Sequence, residues 1–277
     1  MATNMVRPIV IDDSDHAIRY SGVGWFQDNG SQDGIGNFGP TYLRTLHGTN
    51  VNGGLAYTFN GTSVQVWGTT KLAKAADGTF DPSWECLVDK ISIGATKPFE
   101  FPENNWLLCE QNGLIDGSHE IVVNVNTINH TFWFDKIQYT PSPSTSLETA
   151  VVLVDNHDPG ISFDSSWRAL GGTANMTQVK GSTASFLFTG TSVSWIGFIP
   201  TELPHNASSA TYSVDGGPPT FFSLEGLPSG STTVYNQEFF KTPELQPGPH
   251  SLVVIHQGTG QQTPLTLDFL YVTNTST

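Results

Sequence analysis

The chain has 277 residues, of which 13% are charged and 11% aromatic, and it contains 28 Gly and 17 Pro. This length predicts two domains, and the composition favours short strands joined by many turns. The net charge of −14 argues against nucleic acid and anionic membranes as partners. There is no apolar run long enough for a membrane span, and the N-terminus has no apolar signal core. Because other features below indicate an extracellular protein, we expect Met1 to follow a removed leader, with a native start as the alternative.

Two halves of the sequence resemble each other. Residues 59–68, FNGTSVQVWG, match residues 188–197, FTGTSVSWIG, at six of ten positions, and both predict strand, tight turn, strand. Four more pairs of similar segments occur in the same order in both halves: 11–25 with 154–167, 85–90 with 211–216, 114–125 with 245–256, and 132–140 with 265–273. We therefore predict an all-β chain of two tandem antiparallel β-sandwich domains of jelly-roll type, residues 1–140 and 150–277, joined by a Pro/Ser-rich linker at 141–149.

The first half carries a long insertion, residues 26–47, which we call the insertion loop. Asp12 and Phe59 are 47 residues apart, whereas their counterparts Asp155 and Phe188 are only 33 apart. Long loops on a rigid sandwich often carry binding function, and decoration without function is the alternative. Aromatic rings beside polar side chains are typical of glycan sites. The sugar-binding candidates in and near this loop are Asp28, Asn37, Tyr42, Arg44, Trp84 and Trp106.

The only two cysteines, Cys86 and Cys109, both lie in the first half. Their counterparts in the second half are Tyr212 and Phe240, so two cysteines are replaced by two aromatic residues. This double replacement predicts that the two positions are neighbours that face inward. A disulfide here would stabilise the first half by about 3 kcal/mol. A catalytic cysteine is the alternative, but no His is placed to support it.

One Asp lies within the last, otherwise apolar strand of each half: Asp135 and Asp268. Alternation predicts that both are buried, and a buried carboxylate needs a partner. The first strand of each half ends in an acidic turn, and first and last strands are neighbours in many jelly rolls. Calcium shared between these groups is one interpretation, and Asx turns are the other. The predicted calcium ligands are Asp12, Asp13, Asp15, Asp135, Asp155, Asp158 and Asp268.

Six Asn-x-Ser/Thr sequons indicate an extracellular, oxidising setting. They are Asn29, Asn60, Asn129, Asn175, Asn206 and Asn274. His119 and His250 recur at the same place before a strand, which favours a structural role in a turn. No zinc-protease, serine-hydrolase or phosphate-loop motif is present. Only the carboxylate pairs Asp81–Glu85 and Glu100–Glu103 are formal candidates for glycoside hydrolysis.

The motifs DD…I.Y…W, F-x-G-T-S-V, C-x-V-D, D-G-x-H and F-D-x-I-x-Y together resemble secreted proteins of mushroom-forming fungi. They are also similar to galactose-binding-like jelly-roll modules, including tandem lectins of the oyster-mushroom type. The resemblance implies a calcium-containing β-sandwich that binds galactose or N-acetylgalactosamine. The second half lacks the cysteine pair and the insertion loop, which argues against equal binding by both halves.

We therefore expect a secreted, lectin-like protein whose partner is carbohydrate, with function concentrated in the first half. A glycan-active enzyme and a structural or adhesive cell-surface protein are the alternatives. Either a monomer or a homo-oligomer is compatible with the sequence.

Overall fold

A computed structural model describes residues 6–74 and 76–274. In these ranges the chain is almost entirely β, with a single 3₁₀ turn at Tyr42–Arg44 and no α-helix. The strands are β1 (Ile9–Asp12), β2 (Arg19–Ser21), β3 (Trp25–Asn29), β4 (Thr45–Thr49), β5 (Gly53–Thr70), β6 (Ala73–Lys74), β7 (Phe80–Asp81), β8 (Ser83–Val88), β9 (Ile91–Gly94), β10 (Glu103–Gln111), β11 (Gly117–Asn126), β12 (Phe132–Pro141), β13 (Val151–Asp155), β14 (Ile161–Phe163), β15 (Arg168–Leu170), β16 (Ala174–Thr177), β17 (Thr183–Gly190), β18 (Ser192–Ile199), β19 (Ser208–Val214), β20 (Thr220–Leu224), β21 (Val234–Lys241), β22 (Gly248–His256), β23 (Leu265–Leu267) and β24 (Phe269–Thr273).

The chain forms two compact units. The first unit is Pro8–Thr145, and the second unit combines Ser146–Thr277 with Met1–Arg7. The first unit continues past the end of β12, because the backbone N–H of Ser142 donates to the carbonyl of Asn60 at 2.9 Å.

In the first unit the long strand β5 belongs to two layers. Its N-terminal half pairs with β2 and β11, and β11 continues to β8 and β9. Its C-terminal half pairs with β12 and β10, and β12 continues to β1 and to β4. The halves meet at Gly61, where a Cβ would lie 2.1 Å from the carbonyl oxygen of Thr140, so only Gly allows this close approach.

The second unit has the same strand order. One layer is β14–β17–β22–β19–β20, and another contains β13, β24, β18 and β21. Here the counterpart of β5 is divided into β17 and β18. The paired strands of both units described above are antiparallel, which confirms the prediction of an all-β fold built from antiparallel sheets.

The core follows the predicted alternation. Tyr57, Phe59, Val64 and Val66 are all buried in β5, whereas Thr58 is exposed. Apolar side chains facing inward from both layers are the main source of stability in such a sandwich.

The predicted disulfide is confirmed. Cys86 on β8 and Cys109 on β10 are joined at an S–S distance of 2.04 Å, and both are buried. Their counterparts Tyr212 and Phe240 stack in the second unit with ring centroids 4.3 Å apart. A covalent bond in one unit and an aromatic stack in the other therefore link equivalent strands.

The last strand of each unit departs from simple alternation at its Asp. Every residue from Phe132 to Tyr139 is buried, including Asp135, and the register of β12 shifts between Phe134 and Lys136. In the second unit, Asp268 interrupts the strand between β23 and β24 and is only half-buried. The prediction that Asp268 lies inside one continuous buried strand is therefore wrong. A β-bulge in one unit and a break in the other occupy the same place.

Candidate functional site

The insertion loop is held by the first three residues of β10. Glu103 is buried, and its Oε1 accepts hydrogen bonds from the backbone N–H groups of Asn37 (3.0 Å) and Phe38 (2.8 Å). Burial raises the pKa of Glu103, although these N–H groups act in the opposite direction. At Gly36, where φ is +67°, a Cβ would lie 2.0 Å from Glu103 Oε1, so this approach requires Gly.

Asn104 and Asn105 complete the attachment. The Asn104 amide donates to the carbonyls of Gln32 (2.8 Å) and Gly39 (3.1 Å) and accepts from the Thr69 hydroxyl. The Asn105 amide donates to the carbonyls of Phe38 (3.0 Å) and Pro40 (2.8 Å). The two ends of the insertion loop pair with each other as β3 and β4, and the part between them is fixed by side-chain to backbone bonds.

A buried ion pair lies beneath the loop. Lys136 Nζ lies 3.1 Å from Asp135 Oδ2 and 2.9 Å from Asn105 Oδ1, and Asp135 Oδ1 accepts from the N–H of Tyr42 at 3.0 Å. Burial raises the pKa of Asp135 to about 6, the Lys136 ammonium opposes this rise, and the Asp13 carboxylate adds to it. The insertion loop excludes water from this pair.

Asp13 is also buried, and it has its own partners. Its Oδ2 lies 2.6 Å from His47 Nδ1, and its Oδ1 accepts from the Thr45 hydroxyl at 2.6 Å. The ring of Tyr20 stacks on that of His47 at 4.5 Å. The base of the insertion loop is thus a connected polar network covered by aromatic rings.

Four aromatic side chains contact one another in a row that begins in the insertion loop. We call them the aromatic row: Phe38, Trp106, Phe99 and Phe101. The Trp106 ring stacks with the rings of Phe38 (6.2 Å, 15°) and Phe99 (5.0 Å, 13°), and Phe101 packs edge-on against Phe99 at 5.6 Å. Phe101 is 68% exposed and Phe99 37% exposed. Trp106 and Phe38 are half-buried, so the two phenylalanines Phe99 and Phe101 are the most exposed rings of the row.

The six predicted sugar-binding residues do not form one cluster. Asn37 and Tyr42 lie in the part of the loop that Glu103 and Asp135 hold, and Trp106 lies in the aromatic row. The remaining three lie elsewhere: Asp28 accepts from Ser31 in a turn, Arg44 pairs with Asp33 at 2.7 Å, and Trp84 donates from its Nε1 to the Leu108 carbonyl at 3.0 Å. Sequence reasoning missed Phe99 and Phe101, whose signal was two aromatics between Pro98 and Pro102 in a segment without a counterpart.

The acidic turns contain the Asx-turn hydrogen bonds proposed as the alternative to calcium. Asp12, Asp15, Asp155 and Asp158 each accept a hydrogen bond from a backbone N–H two residues later. Among residues 6–74 and 76–274 no group of three or more His, Cys, Asp or Glu side chains is arranged to hold a metal ion.

The residues of the first unit do not fit calcium. Asp13 and Asp135 face a hydroxyl, an imidazole, an N–H group and an ammonium, whereas calcium requires oxygen donors. In the second unit burial raises the pKa of Asp268 to about 6, and the neighbouring Asp155 carboxylate adds to the rise. These two carboxylates are therefore close enough to interact.

The carboxylates considered for glycoside hydrolysis are not arranged as a catalytic pair: Asp81 and Glu103 are hydrogen-bonded to loop backbone, and Glu100 is exposed. Asp81 accepts from the N–H groups of Ile128 and Asn129, both at 2.8 Å, and lies 2.8 Å from His130 Nδ1. Glu103 is committed to the insertion loop, and Glu100 is exposed. Asp81 therefore serves to fix a loop.

His119 and His250 confirm their predicted role in turns. The Nδ1 of each lies 2.7 Å from an Asp in the neighbouring turn, Asp89 and Asp215 respectively, and the Nε2 of each lies 2.7 Å from a backbone carbonyl. The Asp hydrogen bond is the main reason that the pKa of both histidines is raised. Each pair ties one turn to the next strand.

The second unit also has an open groove of about 610 Å³. Two of its polar side chains, Asp215 and His250, pair with each other, and Arg7 pairs with Asp158 at 2.8 and 3.1 Å. These groups are already engaged within the protein, so the aromatic row of the first unit is the better candidate surface.

The sequon asparagines differ in exposure. Asn29, Asn60, Asn129 and Asn206 are exposed, whereas Asn175 and Asn274 are half-buried. The last two residues of the sequon at Asn274 lie outside the described residues. No helix in the described parts of the chain has the length and apolar character needed to cross a membrane.

No protein-family model matches the chain, and no curated protein matches it significantly. Among solved structures, a family two carbohydrate esterase from Cellvibrio japonicus is similar at 21% identity and a TM-score of 0.35, covering 45% of this chain and 34% of the esterase. A Paenibacillus xanthan lyase matches at 11% identity and 0.33, covering 99% of this chain and 27% of the lyase. The N-terminal tandem CBM22 domains of Paenibacillus barcinonensis Xyn10C match at 10% identity and 0.29, covering 91% of this chain and 94% of that one. The chain thus spans about a third or less of the esterase and the lyase, and likenesses this distant show neither a shared family nor a shared function.

Proposed function

We propose that this protein is a non-catalytic glycan-binding protein whose first unit binds sugar on the aromatic row. The observation that carries the proposal is the exposure of Phe99 and Phe101 on a stack that continues inward through Trp106 and Phe38. The C–H faces of pyranose rings pack well on aromatic faces, and exposed aromatic side chains on a rigid scaffold mark interaction sites.

The hydrogen bonds that fix Phe38 favour a binding role for the aromatic row. Phe38 is held through its N–H by Glu103 and through its carbonyl by Asn105, so one end of the stack is fixed to β10. A surface ordered before the ligand arrives loses less conformational entropy on binding. The Phe38 end of the row is therefore ordered before the ligand arrives.

The finer parts of the proposal concern the sugar and the setting. We propose galactose or N-acetylgalactosamine as the sugar type, on the resemblance described above, in a secreted glycoprotein built from two tandem jelly-roll domains. The exposed sequons and the disulfide support secretion. We propose calcium only near Asp155 and Asp268 of the second unit, whose carboxylates interact, and the resemblance is its support, since no group of three or more metal-binding side chains is arranged there among the described residues.

A glycan array with and without EDTA, followed by calorimetry on the best ligand, tests the proposal. The double variant F99A/F101A should weaken binding about tenfold to hundredfold, since each aromatic contact contributes roughly 0.5–1.5 kcal/mol. The matched control is F221A, because Phe221 is 72% exposed on the second unit and lies outside the aromatic row.

Circular dichroism of each variant shows whether the fold is retained. If the wild-type protein binds no sugar in either condition, the glycan-binding proposal is wrong. If F99A/F101A folds and binds as tightly as F221A, sugar binds elsewhere on the protein.

A further inference from the structure

We infer that the aromatic row binds acidic sugars, with the carboxylate of a uronic acid held by lysines beside Phe99 and Phe101. This inference rests on the proposed sugar-binding role of the aromatic row, and it puts an acidic sugar in place of neutral galactose or N-acetylgalactosamine. The observation behind it is the position of lysines near Phe99 and Phe101, in a chain with only 11 Lys and Arg residues.

Two of the chain's 11 Lys and Arg residues lie beside the segment that carries Phe99 and Phe101, and a third, Lys71, follows the strand that pairs with β10. Lys97 is two residues before Phe99, so their Cα atoms are within about 7 Å of each other. Lys74 on β6 reaches the same segment, because its Nζ lies 3.6 Å from Glu100 Oε1. Lys71 directly follows Thr70, whose partner across the sheet is Glu103.

These ammonium groups are accessible. Lys71, Lys74 and Lys97 are all exposed, and the Lys74 side chain is 54% exposed in its pair with Glu100. An exposed ion pair at 3.6 Å is weak, so a ligand carboxylate can compete for this lysine. Of the two acidic residues in the segment, Glu100 is the only exposed one, because Glu103 is buried beneath the insertion loop.

The net charge of −14 does not prevent this recognition. At physiological ionic strength, exposed charges are largely screened beyond about 8 Å, so a bound carboxylate responds mainly to the lysines next to it. Hydrogen bonds between charged partners are stronger than neutral ones. A uronate ring that stacks on a phenylalanine can place its C6 carboxylate at the rim of the row, where the lysines lie.

The test compares trigalacturonate with its methyl ester, which has the same backbone and no charge. We expect the full-length protein to bind the acid more tightly than the ester, and this preference to shrink as NaCl rises from 50 to 500 mM. The variant K74Q/K97Q removes two exposed positive charges and should weaken binding of the acid about threefold to tenfold, while binding of the ester stays unchanged.

The matched control is K180Q/K241Q, which removes the same charge from exposed positions of the second unit and should keep the preference for the acid. Equal or tighter binding of the ester by the wild-type protein would overturn the inference. Binding of neutral galactosides without binding of trigalacturonate would also overturn it while leaving the proposed function intact. Absence of binding to every glycan would remove both.

Discussion

Replacing His256 should stabilise the second unit, and the gain should grow as the pH falls. His256 lies at the end of β22, is fully buried, and both of its ring nitrogens lack a hydrogen-bond partner among the described residues. Burial lowers the pKa of His256 to about 4, from an ordinary value of 6.5. The folded protein therefore keeps this imidazole neutral where the unfolded chain protonates it.

The sign of the pH effect follows from proton binding. Below pH 6.5 the unfolded chain takes up a proton at His256 that the folded chain accepts only near pH 4, so protonation favours unfolding. The difference of about 2.5 pKa units corresponds to about 3 kcal/mol, lost progressively between pH 6.5 and pH 4. Above pH 6.5 this contribution is constant.

The variant His256→Leu removes the titrating group and has a similar volume. We expect a gain of about 1–3 kcal/mol near pH 7.5, because two buried unpaired nitrogens disappear. At pH 4.5 the gain should be about 2–3 kcal/mol larger. Urea unfolding of both proteins from pH 4.5 to 7.5 measures this difference, and amide hydrogen exchange in β22 locates it.

The variant His250→Gln provides a control of opposite sign. Because the pKa of His250 is raised, its contribution is present below pH 6.5 and is lost as the pH rises through the folded pKa. If the difference in unfolding free energy between His256→Leu and wild type is the same at every pH from 4.5 to 7.5, the reasoning about His256 is refuted.

Two further predictions concern the first unit. Replacing Cys86 and Cys109 by Ala should lower its free energy of unfolding by about 3 kcal/mol, since the disulfide closes a loop with a sequence separation of 23 residues; an unchanged urea midpoint would contradict this. Lys136→Met should cost about 3–5 kcal/mol at pH 7, because it leaves the Asp135 carboxylate buried without its cation. That loss should shrink at pH 5, where Asp135 becomes protonated, and a loss that grows on acidification would count against the ion pair.

Much of the fold follows from sequence because the repeated segments carry their own turns and alternation. The replacement of Cys86 and Cys109 by Tyr212 and Phe240 correctly identified two facing positions, since a disulfide and a stacked aromatic pair can occupy the same space between layers. The Asx turns were also foreseen, because a short acidic side chain after a strand accepts backbone N–H bonds by local geometry alone.

The partner of Asp135 could not be predicted from alternation. Adjacent residues of a regular strand point to opposite faces, so alternation does not predict that Lys136 reaches Asp135. The register shift in β12 brings the two side chains together, and the insertion loop covers them. Neither the bulge nor the path of the loop has a sequence signature of its own.

The aromatic row was found only in part for a related reason. Trp106 is an aromatic residue of the first half only, but its ring stacks with Phe38 and Phe99 and is half-buried. Which aromatic ring remains open to solvent depends on how neighbouring loops stack, and that information is not local.

The different links between equivalent strands in the two units have a practical consequence for producing this protein. The contact between Tyr212 and Phe240 forms under any redox condition, whereas the bond between Cys86 and Cys109 requires an oxidant. Expression in a reducing cytosol therefore leaves the second unit complete and weakens the first, which carries the aromatic row. A preparation made in that way could pass a general test of folding and still underreport binding, so the thiol content of each batch should be measured before any glycan experiment.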